Sequence, residues 1–222
     1  MDHIQQRIHE LEQEVIDLRR DFHMYPELGF AEFETAGKIE NYLRNLGYST
    51  MRLADTGVVT LLDSGRPGPC LMLRADIDGL PITEANDLSY KSRNEGVMHA
   101  CGHDAHMAML LVAAKVLKEN QDLIRGKIKF VFQPDEEIAG AVKMIEHRVL
   151  DDPKVDAVMG LHIWSLIPSG RVSISSGVVM GGLDVFKIRV KGKGGHTGYP
   201  HEAIDPVIAA ASLIQSVQAV QT

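Results

Sequence analysis

The feature that most constrains the fold is an alternation of apolar runs and helical patterns between residues 70 and 161. The run Cys70-Leu71-Met72-Leu73 reads as a strand buried on both faces, as do Ile128–Phe132 and Val155–Leu161, the last carrying Asp156. Helical patterns lie between them, near Asp104–Asn120 and Glu136–Arg148. Strands alternating with helices imply an α/β fold, a mixed and largely parallel sheet flanked by helices. In open sheets of this kind ligands bind in the crevice at the carboxyl ends of the strands. At that edge the first strand is followed by Arg74-Ala75-Asp76-Ile77-Asp78 and the second by Gln133-Pro134-Asp135-Glu136-Glu137, and the third runs into His162.

The same edge should receive Met98-His99-Ala100-Cys101-Gly102-His103-Asp104-Ala105-His106, which sets three histidines, a cysteine and a carboxylate immediately before an apolar helical run. A thiolate and an imidazole two residues apart can both face a divalent cation, and the positive start of the helix is expected to lower the thiol pKa. Taken singly, each group has an ordinary reading: a buried Cys beside a satisfied His, an Asp that caps a turn, a solvated Glu-Glu helix start. Taken together, at one sheet edge, they favour a metal site with Cys101, His103, Glu137 and His162 as ligands. That donor set suits zinc or a similar borderline ion, whereas magnesium would want oxygen alone. Of the adjacent pair Glu136-Glu137, one carboxylate can bind metal while its neighbour accepts a proton from water. A cation of this kind makes hydroxide available near neutral pH and polarises a carbonyl, so amide or ester hydrolysis is the natural reaction. Competing signatures are missing: the chain has no His-Glu-x-x-His, no Pro-Cys-x-x-Cys, no Gly-x-Ser-x-Gly elbow and no phosphate-binding glycine loop.

Composition narrows the partners. With 222 residues and 45% apolar content the chain can fill a real core. Its 23 basic and 30 acidic residues give a formal charge of -7, with no basic tract and 5% aromatics, which argues against nucleic-acid binding. No uncharged apolar run approaches a membrane span and the first residues lack a signal-peptide core. Two cysteines, Cys70 and Cys101, cannot build a disulfide framework. The expected setting is cytoplasmic.

The flanking regions are plainer. Ile4, Ile8, Leu11, Val15, Leu18 and Phe22 lie on one helical face, and Pro26 stops that helix. Ala36, Ile39, Leu43 and Leu46 predict a second helix closed by Gly47, followed by strands at Ser49–Leu53 and Gly57–Asp63 and a turn over residues 64–69. Beyond Gly170 a short strand is predicted at Arg171–Ser175 and a half-exposed one over Asp184–Lys191, with Phe186, Ile188 and Val190 on one face. A glycine-rich loop with His196 and His201 follows, then a helix from about Ala203 with Pro206 in its first turn.

Six segments together resemble one family: Phe22-His23-Met24-Tyr25-Pro26-Glu27-Leu28-Gly29-Phe30, Leu73–Ile82, Met98–His106, Pro134-Asp135-Glu136-Glu137, Gly160-Leu161-His162 and Gly194-Gly195-His196. They are similar to the amidohydrolase branch of the metallopeptidase family that includes aminoacylase and bacterial carboxypeptidase G. The branch contains hippurate hydrolases, N-acyl-amino-acid amidohydrolases, N-acetyldiaminopimelate deacetylase and plant auxin-conjugate hydrolases.

The resemblance implies a zinc-exopeptidase-like catalytic domain over residues 1–180 and the beginning of a smaller α+β lid or dimerisation domain over 181–222. It implies two divalent ions (zinc, manganese, cobalt or nickel) with Cys101 bridging, His103 and His162 toward one ion and Glu137 toward the other. Glu136 would be the general acid/base, Asp78 would orient a ligand, and His196 would bind or polarise the substrate, commonly across a homodimer interface. A His matches the place of Asp76 in related enzymes outside the branch, which leaves the role of Asp76 open, and Glu137–Ala141 is poorer in glycine than the branch usually is. Family members run on through the rest of the lid and back into the catalytic domain, which supplies a final histidine ligand. The chain is therefore expected to be C-terminally truncated, and the 222 residues alone to hydrolyse N-acyl amino acids very poorly or not at all. The expected function, at full length, is metal-dependent hydrolysis of the amide of an N-acyl amino acid. The alternatives are a dipeptidase or a non-catalytic, metal-binding fragment.

Overall fold

A computed structural model describes residues 2–179, 181–182 and 184–220. The chain forms two compact units, Met1–Leu166 and Ile167–Thr222. The boundary expected at residue 180 falls on a position outside the described residues.

The first unit opens with α1 (Asp2–Glu10) and α2 (Glu12–Met24), where the periodicity predicted one helix. The break comes at Leu11, whose φ of -94° and ψ of 1° leave the helical region, yet its side chain packs with Val112 and Val116 and keeps the apolar stripe continuous. Helix α3 (Phe33–Asn45) follows. The Glu27 carboxylate accepts from the free N–H groups of Glu34 (3.2 Å) and Thr35 (2.7 Å), which meets the need of a helix start for acceptors.

The sheet runs in the order β1-β2-β4-β3-β5, with β1 Thr50–Leu53, β2 Gly57–Asp63, β3 Cys70–Asp76, β4 Lys127–Gln133 and β5 Ala157–Gly160. β2 is antiparallel to β1 and β4, whereas β3 is parallel to β4 and β5, so the sheet is mixed as expected. Helix α4 (His103–Glu119) connects β3 to β4, and the short α5 (Gly140–Glu146) lies between β4 and β5.

Strand alternation separates two cores. Val58, Leu62, Phe130 and Phe132 face the helical layer and pack with Ile39, Leu43, Met107 and Leu111. Val59, Met72 and Val131 face the other way, against Met144 and Val149. Lys129 shares that second face and is buried, with its Nζ donating to the carbonyls of Val149, Asp152 and Pro153 at 2.7, 3.1 and 2.9 Å. The predicted interior strand at 155–161 is instead a four-residue edge strand, exposed throughout. It pairs with β3 alone, and no other described strand lies beyond it.

In the second unit α6 (Pro206–Gln218) begins with Pro206 in its first turn, and Asp205 accepts from Val207 N at 2.8 Å as its cap. The strands predicted at 171–175 and 184–191 do not form among the described residues, where only the isolated bridge Lys193–Ile204 is present. Alternation without a neighbouring strand leaves Phe186 and Ile188 exposed.

Candidate metal centre

Parallel pairing of β3, β4 and β5 carries their carboxyl ends to one edge of the sheet, in the register Asp76 opposite Gln133 and Arg74 opposite Gly160. Gly102 adopts φ +91°, in the left-handed region that glycine enters without strain, and so turns the chain from Cys101 directly into α4 with His103 as its first residue. Sheet edge and helix start therefore deliver their side chains to one place.

Donor atoms of Cys101, His103 and His162 lie within 4.8 Å of one another, and those of His103, Glu136 and Glu137 form a second such group. Cys101 Sγ is 3.3 Å from His162 Nε2. His103 Nδ1 lies 2.9 Å from the Asp78 carbonyl and 3.0 Å from its Oδ1, an arrangement that assigns the hydrogen to Nδ1 and leaves Nε2 with its lone pair. His162 repeats the pattern, donating from Nδ1 to the Ile163 carbonyl at 2.6 Å. Metal-binding histidines are held in this way, one ring nitrogen anchored and the other free.

The predicted helix over 136–148 is shortened, and this shapes the site. Asp135, at φ +47°, accepts at its carbonyl from Ile138, Ala139 and Gly140, so Glu136 and Glu137 project from a tight turn before α5 begins. Two carboxylates hold the turn. Glu32, fully buried, takes the Asp135 N–H at 2.9 Å and the Thr56 hydroxyl at 2.6 Å, and Asp78 Oδ2 takes the Glu137 N–H at 3.3 Å. Asp78 thus touches both the imidazole and the Glu turn.

Two buried polar atoms in the cluster, His103 Nε2 and Glu137 Oε1, have no hydrogen-bond partner among the described residues. An unpaired buried acceptor costs about 1–3 kcal/mol. Carboxylate oxygens stand near His103 Nε2, Asp76 Oδ2 at 3.7 Å and Glu136 Oε2 at 3.8 Å, beyond hydrogen-bond reach. A divalent cation satisfies such atoms, and the mixed sulfur, nitrogen and oxygen set fits a borderline transition ion.

Electrostatics agree. Burial, together with Glu137, Glu136 and Asp76, pushes the Cys101 thiol up to about 12, the reverse of the lowering expected from the helix start. Burial and Asp76 also raise the Glu136 carboxyl. Burial acts to raise Asp78 as well, but the His103 hydrogen bond outweighs it and the carboxyl is lowered. A site rich in carboxylates and a thiol is short of positive charge, and a bound cation deprotonates a coordinating thiol outright.

Residues whose roles sequence reasoning left open or passed over also serve this edge. Asp76 Oδ1 meets His106 Nδ1 at 2.6 Å and its Oδ2 takes Arg74 Nη1 at 2.9 Å. Burial opposes ionisation of Asp76, yet the His106 hydrogen bond and the neighbouring His103 and Arg74 hold it at about 2. Glu32 carried no signal in the sequence, lying two residues beyond the segment that ends at Phe30. His196 belongs to the second unit, where Gly198 N donates to its Nδ1 at 3.0 Å.

Comparison with known proteins gives matches along the chain. Residues 72–221 match the sequence profile of Peptidase family M20/M25/M40. The chain is 47% identical over 212 residues to N-acetyl-L-cysteine deacetylase of Bacillus subtilis, covering 95% of this chain and 50% of that protein. It is 41% identical over 218 residues to N-acyl-L-amino acid amidohydrolase of Geobacillus stearothermophilus, covering 97% and 58%. Among solved structures it is similar to a Bacillus subtilis protein described as a dinuclear metal binding peptidase from the M20 family. The TM-score is 0.71 at 39% identity, over 74% of this chain and 47% of that one. The chain spans about half the length of these relatives.

Proposed function

Because the chain belongs to Peptidase family M20/M25/M40, we propose that it carries the metal-binding half of a dinuclear amidohydrolase that removes the acyl group from an N-acyl amino acid. The observation that carries the reading is the meeting of Cys101, His103 and His162 with Glu136 and Glu137 at the carboxyl edge of the sheet. Two relatives named for N-acyl amino acid hydrolysis support the substrate class. Cys101, His103, Glu137 and His162 would hold the ions.

Divalent cations held there would supply Lewis acidity to a water molecule and to the amide carbonyl. Glu136 is the general acid/base. It stands at the edge of the cluster, its raised pKa suits a group that takes a proton from water, and the same carboxyl returns that proton to the departing amine. Asp78 positions both the His103 ring and the turn that bears Glu136 and Glu137. His196 is assigned to the substrate, steadying its carboxylate or the developing oxyanion. Zinc, manganese, cobalt and nickel all suit the donors. A homodimer through the second unit and a cytoplasmic setting, where Cys101 stays reduced, complete the reading.

The test is hydrolysis of N-acetyl and N-benzoyl amino acids by the protein at its natural length. Turnover should vanish with chelator, return with metal, and be lost in Glu136→Gln while bound metal is retained. Chelator-insensitive turnover, or a fully active Glu136→Gln, would overturn the proposal.

A further inference from the structure

A chain of buried and half-buried hydrogen bonds behind the sulfur and imidazole cluster is left unused by the reaction above. It runs from Arg74 Nη1 to Asp76 Oδ2 (2.9 Å), from Asp76 Oδ1 to His106 Nδ1 (2.6 Å), and from His106 Nε2 to the backbone N–H of Ile163 (3.0 Å). A peptide N–H can only donate, so His106 Nε2 carries the lone pair and Nδ1 the hydrogen, which it gives to Asp76. Both nitrogens are thereby engaged. Although donor atoms of Asp76, His103 and His106 lie within 4.8 Å of one another, His106 has no lone pair left to coordinate an ion.

The far end of the chain is what gives it meaning. Ile163 follows His162, and its carbonyl accepts from His162 Nδ1, so the N–H that His106 grips belongs to the same residue as the carbonyl that orients the His162 ring. Leu161 and Ile163 are exposed, and Ile163 packs its side chain on Gly102, where a Cβ would collide with it. The imidazoles of His106 and His162 sit edge to face, with ring centroids 4.7 Å apart.

We propose that His106 is a positioning residue: with its tautomer locked by Asp76, it anchors the Ile163 N–H and so holds His162 Nε2 toward Cys101. The inference rests on the metal-centre reading, because the position of His162 matters only if it binds an ion. Loss of such an outer partner typically weakens metal binding about 10–100-fold.

The experiment is a cobalt(II) titration of the full 222-residue chain, followed by the thiolate-to-cobalt charge-transfer band and run with circular dichroism of each variant. His106→Leu should weaken cobalt binding by about 10–100-fold. His106→Gln, whose Oε1 can accept the Ile163 N–H, should recover most of the loss, and His106→Asn, which reaches only the Asp76 side, should not. In a His162→Ala background, His106→Leu should change the affinity by less than about twofold, because coupled residues are not additive. Equal losses in both backgrounds, wild-type binding by His106→Leu, or a better rescue by Asn than by Gln would overturn the inference while leaving the metal centre standing. If His106→Leu does not fold, the Gln and Asn pair decides alone. Absence of the band in the wild-type chain, or its persistence in Cys101→Ala, would overturn the metal centre itself and this inference with it.

Discussion

Asp78 Oδ1 accepts from His103 Nδ1 at 3.0 Å while its Oδ2 accepts from Glu137 N at 3.3 Å, so one carboxylate joins the start of α4 to the turn after β4. In Asp78→Ala the ring keeps only the Asp78 carbonyl, and the Glu turn loses a support. Zinc affinity measured by calorimetry should fall about 10–100-fold. An unchanged affinity would mean that the carbonyl alone orients His103.

Cys101→Ala and Glu137→Ala remove donors rather than their supports. Elemental analysis after dialysis against a zinc buffer should show a sharp drop in bound metal in each. Unchanged stoichiometry would reject both as ligands.

Gly140 lies where a Cβ would collide with the Pro134 carbonyl, and its N–H donates to the Asp135 carbonyl at 2.8 Å. Gly140→Ala therefore has to open the turn that presents Glu136 and Glu137. Overpacking of this kind costs about 1–3 kcal/mol. Urea melts should show the loss of stability, and metal affinity should fall with it. A fully stable variant with normal metal binding would show that the turn relaxes freely.

His23 is buried between Asp104, at 2.8 Å from its Nδ1, and Glu84, at 3.1 Å from its Nε2. Tyr90 packs edge-on against its ring, and Arg19 shares Asp104 at 3.1 Å. The Asp104 hydrogen bond, aided by Glu84 and opposed by burial, raises the His23 pKa. A raised folded value contributes stability that is fully present below the unfolded pKa of about 6.5. That stability disappears as pH climbs through the folded value. Denaturant melts across this range should therefore show a decline on the alkaline side that His23→Gln flattens. An identical slope in the variant would remove His23 from the account.

Trp164 is the single tryptophan of the chain, and its ring lies 6.0 Å from that of His162. Cobalt(II) or nickel(II) bound at the cluster should quench its fluorescence, and His162→Ala should weaken that response. Emission indifferent to saturating metal would argue that no ion sits beside His162.

Much of the architecture was legible locally. Apolar runs located β3 and β4, periodicity located α4, and the rule that ligands gather at the carboxyl ends of parallel strands placed Cys101, His103, Glu136, Glu137 and His162 at one edge. These features follow from residues within a turn or a strand of one another, which is the range over which side-chain pattern acts.

What the tertiary structure alone decided lies between distant residues. The positive φ of Asp135, which converts an expected helix start into the Glu turn, is held by Glu32, 103 residues earlier. His106 looks like a core histidine one turn into α4, and only the path of the chain brings Ile163, 57 residues on, to its Nε2. The β5 strand is as apolar as an interior strand, and its exposure is set by what lies beside it in the sheet. Local pattern specifies which elements form, but hydrogen bonds between separate elements depend on how those elements are brought together. In this protein such bonds aim the imidazoles and carboxylates of the site.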